Sequence, residues 1–307
     1  MGGKLYLDKI NSKKMKSTTE TYTAIVTPFK KNKIDEKSLE QIVKFQIENG
    51  IDGIVPCGTT GESPTLTHEE HNSVIENCVK FARGKIQVMA GTGSNSTEEA
   101  VMMTKHAKKI GADSCLIVAP YYNKPIPEGV FQHFKALDKI GIPLYIYNIP
   151  GRAVINISDE NLARISELKN VVGIKDATGD LARVASLRLL IKKKFSYLSG
   201  EDATVVGFNA MGGNGVISVT ANIAPKMVSD LQKATMRGDY KTALALQDKL
   251  TALHAAMFCE TNPIPIKYAA SLIGLCSAEV RLPLTAPSIA AQTRIKNEMK
   301  KLGLIKK

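Results

Sequence analysis

Eight short apolar runs, each separated from the next by a longer stretch of helical, amphipathic pattern, constrain this chain more than any other feature. They lie at 23–29 (TAIVTPF), 53–57 (GIVPC), 86–91 (IQVMAG), 114–120 (SCLIVAP), 143–149 (PLYIYNI), 171–175 (VVGIK), 195–199 (FSYLS) and 215–219 (GVISV). Each is largely apolar on both alternating faces. That pattern belongs to parallel strands covered by helices, not to a sheet with one wet face. Eight strand–helix units are the number that closes a barrel, and 307 residues hold such a barrel with residues to spare. No GxGxxG follows the first run, which disfavours the open, doubly wound alternative. The expected fold is therefore α/β, a (β/α)8 TIM barrel over 21–238. After 238 the apolar strands stop. Three helices near 239–258, 263–274 and 287–302 form a C-terminal helical extension, 239–307, and 1–20 is expected to be a basic, flexible N-terminal segment.

Local signals support the helices between the runs. Thr67 with Glu70, and Ser96 with Glu99, read as capping boxes, and Ser158 precedes another acidic first turn. Gly50, Gly84, Gly111 and Gly141 follow four helical patterns, where a left-handed residue is expected.

Charge and cysteine content exclude several classes. The formal charge is +12, but residues 1–20 contribute +3 and residues 294–307 contribute +5, so the body carries only +4. The lysine-rich ends lack the interleaved aromatics of a nucleic-acid surface, and no nucleic-acid partner is expected. No apolar run reaches the roughly 20 residues of a membrane span, and the N-terminal residues have no apolar signal core. The five cysteines are odd in number and form no CxxC pair. A disulfide framework or zinc knuckle is not expected, and a reducing cytoplasm fits.

In a TIM barrel, chemistry sits at the C-terminal ends of the strands. Those ends carry GTTGES (58–63), GTGSN (91–95), PYYN (120–123), YNIPGR (147–152), KDATGD (175–180) and SGED (199–202). Lys175 closes an apolar run and should enter a poorly hydrated barrel mouth, though a lysine can also simply terminate a strand. A lysine in water is neutral at pH 7 in only about one molecule in 2,500, so a nucleophilic lysine needs withdrawal from water. Tyr147, on the neighbouring strand, can exchange protons there. Arg152 has the planar fork that binds a carboxylate. Thr59 and Thr60, between two glycines, can cradle a carboxylate but lack the GK[ST] of a phosphate loop. His68 and His71 sit three apart without the HExxH spacing of zinc proteases, so helix residues are the better reading than metal ligands.

Together GTTGES, AGTGSN, PYYNKP, YNIPGR, GIKDATGD and GVISVTAN resemble the dihydrodipicolinate (4-hydroxy-tetrahydrodipicolinate) synthase family of pyruvate-dependent class I lyases. The resemblance runs from about residue 23 through the C-terminal helices. It implies condensation of pyruvate with L-aspartate 4-semialdehyde, in lysine and diaminopimelate biosynthesis, by a cytoplasmic homotetramer built as a dimer of dimers. By this resemblance Lys175 is the Schiff-base lysine and Tyr147 the general acid/base. Thr59 and Tyr122 complete the proton relay, Tyr122 entering from an adjacent subunit. Thr60 and the main chain at Ile217 hold pyruvate, and Arg152 holds the aldehyde's carboxylate. Ser63, Pro64, His68, His71, Asn95, Glu99 and Tyr121 match an allosteric site for the inhibitor L-lysine. No metal or diffusible cofactor is implied, because the protonated imine is itself the electron sink. Ala153 and Val154 follow Arg152 where the family often has RTG, which bears on the second-substrate pocket. N-acetylneuraminate lyase and 2-keto-3-deoxygluconate aldolase would share Lys175 and Tyr147. The pairs Thr59–Thr60 and Tyr121–Tyr122, with Arg152, favour the synthase.

Overall fold

The computed structural model describes residues 20–306; the basic N-terminal segment, Glu20 apart, lies outside them. Eight parallel strands close on themselves: β1 (Glu20–Ala24), β2 (Gly53–Val55), β3 (Gln87–Gly91), β4 (Ser114–Val118), β5 (Leu144–Asn148), β6 (Val171–Asp176), β7 (Ser196–Ser199) and β8 (Gly215–Ser218). β1 closes the ring by pairing both with β2, Thr23 beside Ile54, and with β8, Thr23 beside Ser218. The expected barrel is the observed one.

Helices follow the strands in turn: α1 (Glu36–Glu48), α2 (His68–Ala82), α3 (Thr97–Lys109), α4 (Pro127–Asp138), α5 (Asp159–Ser166), α6 (Ala182–Leu190), α7 (Val205–Ala210) and α8 (Pro225–Met236). The C-terminal part is α9 (Tyr240–Met257), α10 (Ile264–Leu272) and α11 (Ile289–Lys301). α9 packs on α8 and α11, and α11 packs on α10. Gly50, Gly84, Gly111 and Gly141 take φ between 69° and 85°, as their places after helices require.

Three expectations need correction. The first strand is Glu20–Ala24 and not 23–29. The chain leaves the ladder where the Val26 N–H donates to the Asn222 side chain at 3.1 Å, and Phe29–Lys30 pairs antiparallel with Lys33–Ile34 in a small hairpin. The second strand ends at Val55, before Pro56, which has no N–H to donate. Of the two capping boxes, Thr67–Glu70 is reciprocal, but Ser96–Glu99 is only half formed. The Ser96 hydroxyl accepts the Glu99 N–H at 3.4 Å, while the Glu99 carboxylate turns away to the Ser94 hydroxyl.

The two apolar faces of each strand serve two different cores. Ile54, Val88, Ile117, Ile146 and Ile174 point outward under the helices. Tyr22, Ala24, Val55, Met89, Leu116, Tyr145, Tyr147, Leu198 and Ile217 fill the barrel itself. Glycines make room within it. A Cβ at Gly53 would lie 2.3 Å from the Tyr22 ring, and one at Gly173 would lie 2.5 Å from the Tyr145 ring. The lower end is polar. Glu20 accepts hydrogen bonds from Tyr145 Oη (3.2 Å) and Ser196 Oγ (2.9 Å), and burial pushes its carboxyl upward. Among the described residues, no helix is long and apolar enough to cross a membrane.

Candidate active site

Strand alternation places the central pair. On β5, Tyr145 and Tyr147 point inward and Ile146 outward. On β6, Gly173 and Lys175 point inward and Ile174 outward. Tyr147 and Lys175 are register partners across the β5–β6 ladder. Each residue is only 6% exposed, which matters because a shielded amine and a shielded phenol are what imine chemistry requires. Lys175 Nζ lies 4.3 Å from the centroid of the Tyr147 ring.

The outward residues of the same motifs brace this pair. The Asn148 amide donates to Asn156 Oδ1 at 2.8 Å, and its oxygen accepts the Ile157 N–H at 3.2 Å. Asp176 Oδ1 accepts from Thr178 N–H (2.8 Å) and Oγ1 (2.6 Å). Buried Arg183 donates to Asp159 (2.9 Å), Asn156 (2.9 Å) and the Ile157 carbonyl (2.8 Å). The strand tips carrying Tyr147 and Lys175 are thus tied to the loop ahead of α5. These bracing roles were not legible in the motifs, because the partners Asn156, Asp159 and Arg183 lie in segments that only the fold brings to the strand tips.

One carboxyl escaped the sequence reading. Glu201, in SGED, is pushed up chiefly by burial and further by Asp202, while the Lys175 ammonium opposes the shift. Asp202 accepts the N–H groups of Val219 (2.9 Å) and Thr220 (3.1 Å), fixing the chain just beyond Ile217. Ile217 itself is fully buried in the barrel.

The turn after β2 brings Thr59 and Thr60 to the mouth. Thr60 is buried, and its Oγ1 accepts from Asn262 Nδ2 at 3.0 Å, leaving its own O–H free to donate. Arg152 follows β5 on a short helical turn, Pro150–Ala153, and donates Nη2–H to the Asn262 carbonyl at 3.0 Å.

Thr59, Tyr147 and Arg152 line a cavity of 610 Å³ together with Ser63, Pro64, His68, His71, Glu99 and Tyr121. The structure therefore joins three of the residues expected at the catalytic and substrate sites with most of those expected at the lysine site, while Lys175, Thr60, Ile217 and Asn95 do not line this cavity. Lys175 instead packs on the ring of Tyr147, which does line it. The two histidines differ. His68 is half-exposed and its Nε2 lies 3.2 Å from Glu99 Oε1. His71 is buried and sets Nε2 2.9 Å from the Gly91 carbonyl, so the proton sits on Nε2. Burial holds His71 below the usual histidine range, opposed by that hydrogen bond. Asn95 is half-buried and its carbonyl accepts from Asn123 Nδ2 at 2.9 Å. Tyr122 stands apart from the cavity, 86% exposed with φ at 69°. No cluster of three potential metal-ligating side chains occurs among the described residues.

Comparison with known proteins bears directly on this geometry. The model of the dihydrodipicolinate synthetase family matches residues 17–302. The chain belongs to the dihydrodipicolinate synthetase family. It is therefore an enzyme of the lyase class. The 4-hydroxy-tetrahydrodipicolinate synthase of Parvibaculum lavamentivorans is 54% identical over 286 residues, 93% of this chain and 98% of that protein. The chloride-inhibited dihydrodipicolinate synthase of Acinetobacter baumannii, solved with pyruvate, superposes with a TM-score of 0.91 at 44% identity, over 94% of this chain and 99% of that one. The enzyme of Cyanidioschyzon merolae, solved with lysine bound, gives a TM-score of 0.91 at 36% identity, over 94% of this chain and 99% of that one.

Proposed function

We propose that this chain is a 4-hydroxy-tetrahydrodipicolinate synthase that condenses pyruvate with L-aspartate 4-semialdehyde through an imine on Lys175. The observation that carries the reading is the buried, register-paired Lys175 and Tyr147 at the C-terminal end of the closed barrel. The catalytic unit is the barrel, 21–238, with 239–307 as its helical extension.

The neutral Lys175 amine attacks the pyruvate ketone. Tyr147 delivers a proton as the carbinolamine loses water, drawing on Thr59 and on Tyr122 of an adjacent subunit. The Thr60 hydroxyl and the main chain at Ile217 hold the pyruvate carboxylate. The iminium loses a proton from its methyl carbon and becomes an enamine. That carbon forms the new C–C bond to the aldehyde, whose substrate is held at its carboxylate by Arg152. The substrate's own amine then adds to the regenerated iminium and expels Lys175, closing the ring. The outward, strained setting of Tyr122 supports its service to a neighbouring chain in a homotetramer.

L-Lysine is proposed as an inhibitor at the outer part of the same cavity. Glu99 would take the ligand's ammonium, with His68 and Ser94 already on that carboxylate. Asn95, Tyr121, His71 and the chain at Ser63 and Pro64 would meet its other groups. The half-formed Ser96 box argues against Glu99 being only a helix cap. The lysine-bound structure of the Cyanidioschyzon merolae enzyme supports the assignment. The five thiols are free, which suits a reducing cytoplasm.

The decisive experiment is borohydride reduction in the presence of pyruvate, with peptide mapping and an assay of which aldehyde is consumed. One pyruvate-derived group per chain on Lys175 is expected. Labelling that persists in Lys175→Ala would remove the assignment.

A further inference from the structure

The turn that carries Thr59 and Thr60 is held at Gly61 from the loop after β1, where Thr27 Oγ1 donates to the Gly61 carbonyl at 2.7 Å, and at Glu62 from outside the barrel. Its internal hydrogen bonds run from Gly61 N to the Gly58 carbonyl (3.1 Å) and from Glu62 N to the Thr59 carbonyl (3.1 Å). They shape the turn but do not place it. Glu62, which ends it, has φ at 56°, a left-handed conformation that non-glycine residues adopt only when their surroundings require it.

The Glu62 side chain supplies that requirement. It is fully buried, as is Lys267 on α10, and the two meet at 2.6 Å. The second carboxylate oxygen accepts the Arg281 N–H at 3.0 Å. Lys267 Nζ also lies 4.0 Å from the centroid of the Phe29 ring. Burial pulls the Lys267 ammonium below its ordinary range, and Glu62 opposes that shift. An ion pair this deep gains little over well-packed apolar side chains of similar size, so stability alone does not account for it. A pair of opposite charges does fix one geometry, because any displacement leaves a charge unpaired without water. The same C-terminal segment holds Thr60 through the Asn262 amide and Arg152 through the Asn262 carbonyl.

We propose that the buried Glu62–Lys267 pair is a positioning device that sets the Thr59–Thr60 turn from the C-terminal helices, so that both are positioning residues for the pyruvate half of the reaction. The inference rests on the Schiff-base reading above.

The test uses the full chain carrying Glu62→Gln, Lys267→Met or both, compared with wild type. Urea unfolding reports stability. The rate of borohydride-trapped pyruvate adduct at Lys175 and the kcat and KM for pyruvate report positioning. Lys267→Met leaves a buried carboxylate short of its partner and is expected to lose both stability and adduct formation. The double variant removes both charges, retains an acceptor for the Arg281 N–H, and is expected to regain stability. Its kcat/KM for pyruvate should stay down by about tenfold or more, since misplacement of reacting groups by about 1 Å costs on the order of a hundredfold. Recovery of wild-type stability together with kcat/KM within about twofold would show that the pair is only core filling and overturn the proposal. Glu62→Gln alone is the mildest change, and wild-type pyruvate kinetics in that folded variant would overturn it equally. A wild type that forms no adduct at Lys175 would instead defeat the Schiff-base reading.

Discussion

Replacing Tyr147 by Phe isolates one hydroxyl. The ring is buried in the barrel interior among apolar neighbours, and its face contact with Lys175 Nζ at 4.3 Å does not depend on the phenol. Phe fills the same space, so the packing and the cation–π contact survive. Stability should change by about 1 kcal/mol or less, the ordinary net worth of a single hydrogen-bonding group. Catalysis should change far more. A positioned acid/base group contributes about 10²- to 10⁴-fold, which is about 2.7 to 5.5 kcal/mol of barrier. Carbinolamine dehydration needs a proton on the departing oxygen, and aldehyde addition needs another on the new alkoxide, so both half-reactions should slow. The pyruvate carboxylate contacts proposed for Thr60 and Ile217 are untouched, so KM for pyruvate should stay within about threefold. The assay pairs steady-state turnover with the rate of borohydride-trapped adduct, alongside urea unfolding. A kcat within about threefold of wild type, in a variant that unfolds at the same urea concentration, would refute the acid/base role of Tyr147.

Glu99→Ala should abolish or weaken by about tenfold the inhibition by L-lysine while leaving the uninhibited rate within about twofold, because it removes the only carboxylate proposed for the ligand's ammonium. A lysine titration of initial rate in both proteins decides it, and unchanged inhibition in the variant would return Glu99 to a structural role. Stability should also depend on pH through His133, which burial pushes down to about 4 and whose Nδ1 shares a hydrogen bond with Thr97 Oγ1 at 2.9 Å. The unfolded chain takes up a proton near pH 6.5 that the folded chain refuses until about 4, so this contribution is intact above pH 6.5 and is lost as pH falls through that window. Between pH 7 and 5 the loss is about 2 kcal/mol. His133→Gln should flatten the urea midpoint against pH over that range, and parallel profiles for the two proteins would contradict the assignment.

Much of the fold was legible because it rests on local periodicity. Runs such as VVGIK and PLYIYNI are apolar on both faces, and only a sheet buried on both sides tolerates that. Gly50, Gly84, Gly111 and Gly141 announce helix ends because a left-handed residue there carries no Cβ penalty. The strand-end motifs supplied several residues that line one cavity, and resemblance supplied the proposed role of each, because motif order along a barrel maps onto position around its rim. The boundary errors at 23–29 and at Pro56 have different causes: the Val26 N–H turns to the Asn222 side chain, and Pro56 has no N–H for the ladder.

Tertiary structure alone decided the rest. The sequence could not show that the Ser96–Glu99 box closes on one side only, with the Glu99 carboxylate meeting Ser94 and His68 instead, since both arrangements have the same spelling. Nor could it show that His71 is buried on the Gly91 carbonyl while His68, one turn away, is half-exposed. Glu201 was a letter in SGED until the closed barrel set its charge against Lys175. Glu62 and Lys267 are 205 residues apart, and no periodicity links them. Charge pairing, burial and register across a closed sheet are non-local quantities, whereas the alternation of apolar and polar residues is local; the chain therefore declares its barrel in its own sequence, and its candidate site residues come together only when β8 returns to β1 and the C-terminal helices reach back to the turn after β2.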